Sequence, residues 1–154
     1  EEITAGTDAG LFSPELPCNR AQVVTFLWRA AGSPAPKSNV NRFADVKKDS
    51  YYEKAVLWAV EQGITVGTDA SHFNPDQPCT RNQVVTFQWR AAGKPAASGT
   101  IPFYDVPANA WYAEPVLWAV QNGITYGVTD TEFGVNGTCT RGQVVTFLYR
   151  AFAE

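Results

Sequence analysis

Three arginines recur in one local setting: Arg20 after Cys18-Asn19, Arg81 after Cys79-Thr80 and Arg141 after Cys139-Thr140, spaced 61 and 60 residues apart. Each follows a residue suited to cap a helix, so its guanidinium belongs to the first turn, where the helix dipole disfavours a cation. Something else must hold it there. A guanidinium fork beside free backbone N–H groups is a receptor for an anion, above all a carboxylate held by two parallel hydrogen bonds. The competing reading is an ion pair with Asp45 or Asp105. Arg29, Arg90 and Arg150 recur as well, but in the last turn, where a cation suits the dipole and a structural role is the better reading.

Aromatic rings are the second resource. Tyr51, Tyr52, Trp111 and Tyr112 open a helix and are placed to meet a ligand, whereas Trp28, Trp58, Trp89 and Trp118 fall inside helices as core or groove wall. Cys18, Cys79 and Cys139 occupy equivalent positions, so one disulfide plus one leftover thiol is a poor design, and three small buried hydrophobes are expected. A trigonal metal site with His72 finds no support in the spacing, and neither a metal nor a cofactor is expected. There is no nucleophile elbow, phosphate loop or histidine-based metal motif. A carboxylate pair among Asp45, Asp69 and Asp105 leaves glycan cleavage open. Repetition favours binding, because catalytic sites are normally unique while binding sites are multiplied for avidity. A non-enzymatic role is expected.

Composition narrows the partners. The 154 residues carry a formal charge of −3 and only 18% charged side chains, so no basic field attracts nucleic acid or an anionic membrane. No apolar run approaches the roughly 20 residues needed to span a bilayer. With no methionine, the sequence reads as a mature or excised portion of something longer.

The elements that must carry these groups follow from the repeat. Gln22 to Phe26, Gln83 to Phe87 and Gln143 to Phe147 share the run Gln-Val-Val-Thr-Phe, and Val56 to Val60 matches Val116 to Val120. Each full repeat reads as helix, turn-rich loop, helix, which predicts an all-α chain. Tyr52, Val56, Ala59, Val60 and Gly63 form an apolar stripe for the first helix, with Ser50 and Glu53 as its capping box. Asn19, Thr80 and Thr140, each three residues before a glutamine, are capping boxes for the second helix. Three units are expected, residues 1–36, 37–96 and 97–154, together one compact domain. The first opens halfway through its repeat, at Ile3 to Asp8, which aligns with Ile64 to Asp69. Val23, Phe26 and Leu27 are therefore expected to need a partner helix or chain to complete that repeat.

The Phe-x-Asp-Val openings at Phe43 and Phe103, the Trp-Ala helices, the Gly-Ile-x-x-Gly turns and the Thr-Arg helix starts resemble the S-layer homology (SLH) family over nearly the whole chain. That resemblance implies three repeats about a pseudo-threefold axis, a central helical bundle, and ligand grooves between neighbouring repeats. It also implies a place outside the cell, at the bacterial cell wall or surface, and attachment to cell-wall polysaccharide bearing an anionic pyruvate ketal. The groove set expected on this basis starts with Arg20, Arg81 and Arg141, with Asp45 and Asp105. It continues through the turn residues Gly67, Thr68, Asp69 and Gly127, and the aromatics Tyr52, Trp111 and Tyr112. Two departures stand out: the family motif's acid is Gln22, Gln83 and Gln143 here, and a cysteine precedes each motif. The alternatives are an adhesion or protein-interaction module on the bacterial surface and, more weakly, a glycosidase. Loss of Arg81 or Arg141 is expected to weaken glycan binding with little change in the fold.

Overall fold

A computed structural model describes residues 3–153, and among them it contains five α-helices and no strand. They are α1 (Arg20–Ala30), α2 (Glu53–Glu61), α3 (Arg81–Ala91), α4 (Ala113–Gln121) and α5 (Arg141–Phe152). Glu1, Glu2 and Glu154, the outermost residues of the first and third sequence units, lie outside the described residues.

The second-half helices begin where their caps place them. The Asn19 N–H donates to Gln22 Oε1 at 2.9 Å while the Gln22 N–H donates to Asn19 Oδ1 at 2.8 Å. Thr140 and Gln143 exchange the same pair of bonds. At α3 the Thr80 N–H donates to Gln83 Oε1, and the Thr80 hydroxyl turns to the Asn82 side chain. The glutamines are thus cap residues, which satisfies backbone donors that a helix start leaves open.

The box expected at Ser50 and Glu53 forms differently. Asp49 takes a positive φ of 62°, Ser50 donates its hydroxyl back to the Lys47 carbonyl, and Tyr52 becomes the N-cap without a side-chain bond. The Glu53 carboxylate still reaches back, accepting from the Asp49 N–H at 2.7 Å. A tight turn of Lys47 to Ser50 competes for the serine hydroxyl, as short polar side chains often do.

α1, α3 and α5 pack on one another at the centre, α2 packs on α1, and α4 packs on α3. The segments ahead of the central helices interlock. Cys79 N–H donates to the Cys18 carbonyl, Cys139 N–H to that of Cys79, and Cys18 N–H to that of Cys139, which closes a ring of bonds of 2.9, 3.2 and 2.9 Å. All three thiols are free and fully buried, as small core residues. Each central helix then docks its first N–H groups on the loop of the next repeat: Arg20 on Gln77, Arg81 on Gly137, and Arg141 on Leu16. The last step returns to the first repeat.

Packing is therefore out of phase with the sequence repeat, since each first-half helix lies on the second-half helix before it. This corrects the expectation that Val23, Phe26 and Leu27 need an outside partner: all three are buried, with α2 over α1. The helix without such a cover, among the described residues, is α5.

Candidate functional site

The three arginines are inter-repeat plugs. Arg20, Arg81 and Arg141 are 3%, 7% and 3% exposed. Each Nε donates to a carbonyl of the neighbouring repeat: Arg20 to Phe73 at 2.8 Å, Arg81 to Phe133 at 3.0 Å, Arg141 to Phe12 at 3.0 Å. Each guanidinium also lies between two phenylalanine rings, as Arg20 does with Phe73 and Phe87 at 4.8 and 5.4 Å. Ring faces and a carbonyl supply what the helix dipole does not. Burial lowers the proton affinity of Arg20 and Arg81 from the ordinary arginine value, with nearby cysteine and aspartate charges opposing it.

The ion pair offered as the competing reading is not what forms. Asp45 accepts from the Phe73 and Asn74 N–H groups at 2.9 and 2.7 Å, and Asp105 from those of Phe133, Gly134 and Val135 at 2.8, 2.8 and 3.1 Å. Both carboxylates pin the loop that receives the arginine. Burial pushes the Asp105 carboxyl up, but the backbone donors outweigh it and hold it below the usual range.

Beside these plugs lie two equivalent grooves. One holds about 340 Å³ between Arg141, the turn Thr4 to Thr7, the α1 face of Gln22, Thr25, Phe26 and Arg29, and Tyr51. The other holds about 300 Å³ between Arg20, the turn Thr65 to Thr68, the α3 face of Gln83, Thr86, Phe87 and Arg90, and Trp111. Each groove takes an arginine from one repeat, a turn and helix from the next, and an aromatic wall from the third. A groove with two guanidinium groups at its base and a ring at its rim can hold an anionic sugar: the cations take the acid, and the ring takes an apolar sugar face.

The aromatic pairs divide by direction. Tyr51 and Trp111 are 57% and 59% exposed and wall the grooves. Tyr52 is buried in the core, and Tyr112 is half-buried with its hydroxyl donating to the Asp105 carbonyl at 3.3 Å. The expected role of Tyr52 and Tyr112 in the groove is thus corrected: successive residues ahead of the helix point opposite ways, and the outer one of each pair faces the groove. Gly67 and Thr68 do line a groove. A Cβ on Gly67 would stand 2.5 Å from the Phe43 ring and one on Gly127 2.5 Å from that of Phe103, so both glycines let the turn press against the core. Asp69 serves its own loop, binding the Ser71 N–H and the His72 ring at 2.8 and 3.0 Å.

The third arginine, Arg81, is answered by protein. Its Nη2 donates to the Tyr126 carbonyl at 2.7 Å and to Thr125 Oγ1 at 3.4 Å. Arg141 spends one such bond, on Thr4 Oγ1 at 3.2 Å. Arg29 and Arg90, read from sequence as structural, do bind the Ile3 and Ile64 carbonyls, yet they also line the grooves. The signal for them was present: Gln22, Thr25, Phe26 and Arg29 recur at i, i+3, i+4 and i+7, one helix face. No group of three metal-ligating residues occurs among the described residues.

Residues 42–85 and 102–145 match the family model described as the S-layer homology domain. The chain is 34% identical over 123 residues to the surface-layer 125 kDa protein of Lysinibacillus sphaericus, covering 79% of this chain and 10% of that protein. It is 33% identical over 123 residues to an endoglucanase of Bacillus sp. (strain KSM-635), covering 80% and 13%. It is 35% identical over 114 residues to a cell surface protein of Thermoanaerobacter kivui, covering 71% and 15%. The chain spans no more than 15% of the length of these three relatives.

Proposed function

The chain belongs to the S-layer homology domain family, and from that premise we propose that it anchors the protein carrying it, non-covalently, to an acidic polysaccharide of the bacterial cell wall. Residues 1–36, 37–96 and 97–154 act in this reading as three repeats of one domain about a pseudo-threefold axis. The closed ring of cysteine backbone bonds and the cyclic docking of the three arginines support that arrangement. The observation that carries the function is the pair of equivalent grooves, each with an arginine plug, a second arginine and an exposed ring. The ligand is a sugar bearing a carboxylate such as a pyruvate ketal, held by charge-assisted bonds from guanidinium groups. The relatives support a shared attachment module, since a surface-layer protein, a cell surface protein and an endoglucanase have this small fraction in common.

The test is retention on purified cell walls before and after removal of the wall-linked polysaccharide. Anchoring requires retention that disappears with the polymer. Equal retention on stripped peptidoglycan, or none on either, would sink the reading. Reducing ends appearing during the incubation would point instead to a hydrolase.

A further inference from the structure

In two of the capping boxes the glutamine amide has a second end. Its oxygen is fixed by a backbone donor, Asn19 N–H to Gln22 Oε1 at 2.9 Å and Thr80 N–H to Gln83 Oε1 at 3.2 Å. An amide held by its oxygen turns its Nε2 the other way, with two N–H donors to spend. Both side chains line a groove, and among the described residues no protein acceptor takes either Nε2. A glutamate would close the same box equally well, so the cap does not choose between the two residue types. The groove does. Gln22 shares its lining with Arg29 and Arg141, Gln83 shares its own with Arg20 and Arg90, and neither lining holds a carboxylate. Asp45, whose charge is felt at Arg20, is spent on the Phe73 and Asn74 N–H groups and does not line the groove. The space beside Gln143 is different: its one arginine is Arg150, and Glu15 is part of its wall.

We infer that Gln22 and Gln83 are specificity-determining residues: each donates Nε2–H to an acceptor oxygen of the bound sugar and keeps its groove free of negative charge, so that the groove takes an ionised acidic sugar and rejects the neutral ester of the same sugar. The two guanidinium groups hold the anion, and the amide meets an oxygen beside it. A glutamate in the same place would set an acceptor against an acceptor and a carboxylate against a carboxylate. It would also give the groove arginines an internal partner, which a ligand would have to displace. The glutamine that replaces the acid of the family motif therefore does at the groove what an acid could not, while the cap is served by either. The inference rests on the anchoring reading and names what sets the charge preference of its site.

The test measures Gln22→Glu, Gln83→Glu, the double variant and Gln143→Glu by calorimetry against an acidic fragment of the wall polymer and against the same fragment with its carboxylates methyl-esterified. Melting temperatures should hold or rise slightly, because glutamate keeps the box and suits the first turn of a helix. Gln22→Glu and Gln83→Glu should each weaken the acidic fragment at one groove by at least about tenfold, and the double variant at both, since like charges juxtaposed at a binding site are strongly unfavourable. The preference for acid over ester should shrink by the same factor, and Gln143→Glu should bind as the unchanged chain does. Equal affinity of the double variant for the acidic fragment overturns the inference. So does an equal loss in Gln143→Glu, which would make the effect one of overall charge, or an equal loss for acid and ester, which would make it one of shape. A lowered melting temperature in the groove variants overturns it as well, since the cap itself would then require the amide. An unchanged chain that prefers neither fragment but is retained on polymer-bearing walls removes this inference and leaves anchoring in place, whereas loss of that retention removes both.

Discussion

A guanidinium only a few per cent exposed between two phenylalanine rings has lost most of its water, and one carbonyl on Nε replaces part of it. Truncation would leave that carbonyl orphaned and a hole between the rings. Arg81→Ala is therefore expected to cost roughly 3 kcal/mol of stability, the scale of a broken buried charged contact, with Lys recovering a part. Urea unfolding at neutral pH measures it. The expectation that arginine loss spares the fold is revised accordingly, and the clean probes of binding become the exposed rings. Trp111→Ala or Tyr51→Ala should weaken glycan binding by about 1 kcal/mol without moving the melting temperature; calorimetry with a fragment of the wall polymer decides. The thiols give a pH prediction. Burial pushes Cys18 to about 12 and Cys139 to about 11, and raises Cys79 too, with Arg141, Arg81 and Arg20 respectively opposing it. Folded values above the ordinary 9.0 mean that the fold favours the protonated thiol. That stability is complete below pH 9.0 and drains away as pH rises toward 11 and 12. Thermal melts across this range should show a fall that Cys→Ala variants reduce. A thiol reagent at pH 7 should label the protein only once unfolded.

The loops that receive the arginines owe their shape to Asp45 and Asp105, each gripping backbone N–H groups 28 or more residues away. Asp105→Asn is expected to cost roughly 2 kcal/mol, since an amide accepts fewer and weaker bonds than a carboxylate. Because the folded pKa lies below the ordinary 3.8, this contribution is present above that value and lost as pH falls through the lower one. Acid melts comparing the two proteins check the sign. Cap spacing made α1, α3 and α5 legible in the sequence to within a residue, because a capping box is a local rule. The Ser50 start was misplaced because a neighbouring turn claimed the same hydroxyl. The inward facing of Tyr52 was legible, because it opens the apolar stripe that continues through Val56 and Ala59; the outward facing of Tyr51 onto a groove was not, since it lies outside that stripe. Nor was the core misfit at Gln88, which stands where α1 and α5 have Leu27 and Leu148. It is fully buried with both amide atoms unpaired. Gln88→Leu should stabilise by about 1–2 kcal/mol in the same urea assay, as it removes two desolvated polar groups at nearly constant volume.

At the scale of the whole molecule the repeat was plain in the sequence, but its phase in space was not. Periodicity shows that three units are alike; it does not show which half packs on which neighbour. The structure resolves this into a cycle, with α2 on α1, α4 on α3, and α5 returning to residues 12–16 through Arg141. The consequence for function is that each of the two walled grooves draws on all three repeats, so both are built into the same helical bundle. On the proposed reading, an acidic polymer whose repeat spans the two grooves would, once held in one, present its next unit to the other at an effective concentration near the millimolar range. Each groove alone can then be weak while retention on the wall is strong. Removing one ring should therefore lower affinity for a short monovalent fragment only at its own groove. On polymer-bearing walls the same change should cut retention by up to about 100-fold, because it removes the intramolecular second contact. Tyr51→Ala, Trp111→Ala and the double variant, compared on fragment and on wall, separate the cases. If either single variant lowers wall retention no more than twofold, the grooves act independently and the linked-site mechanism fails, whatever the fragment affinities are.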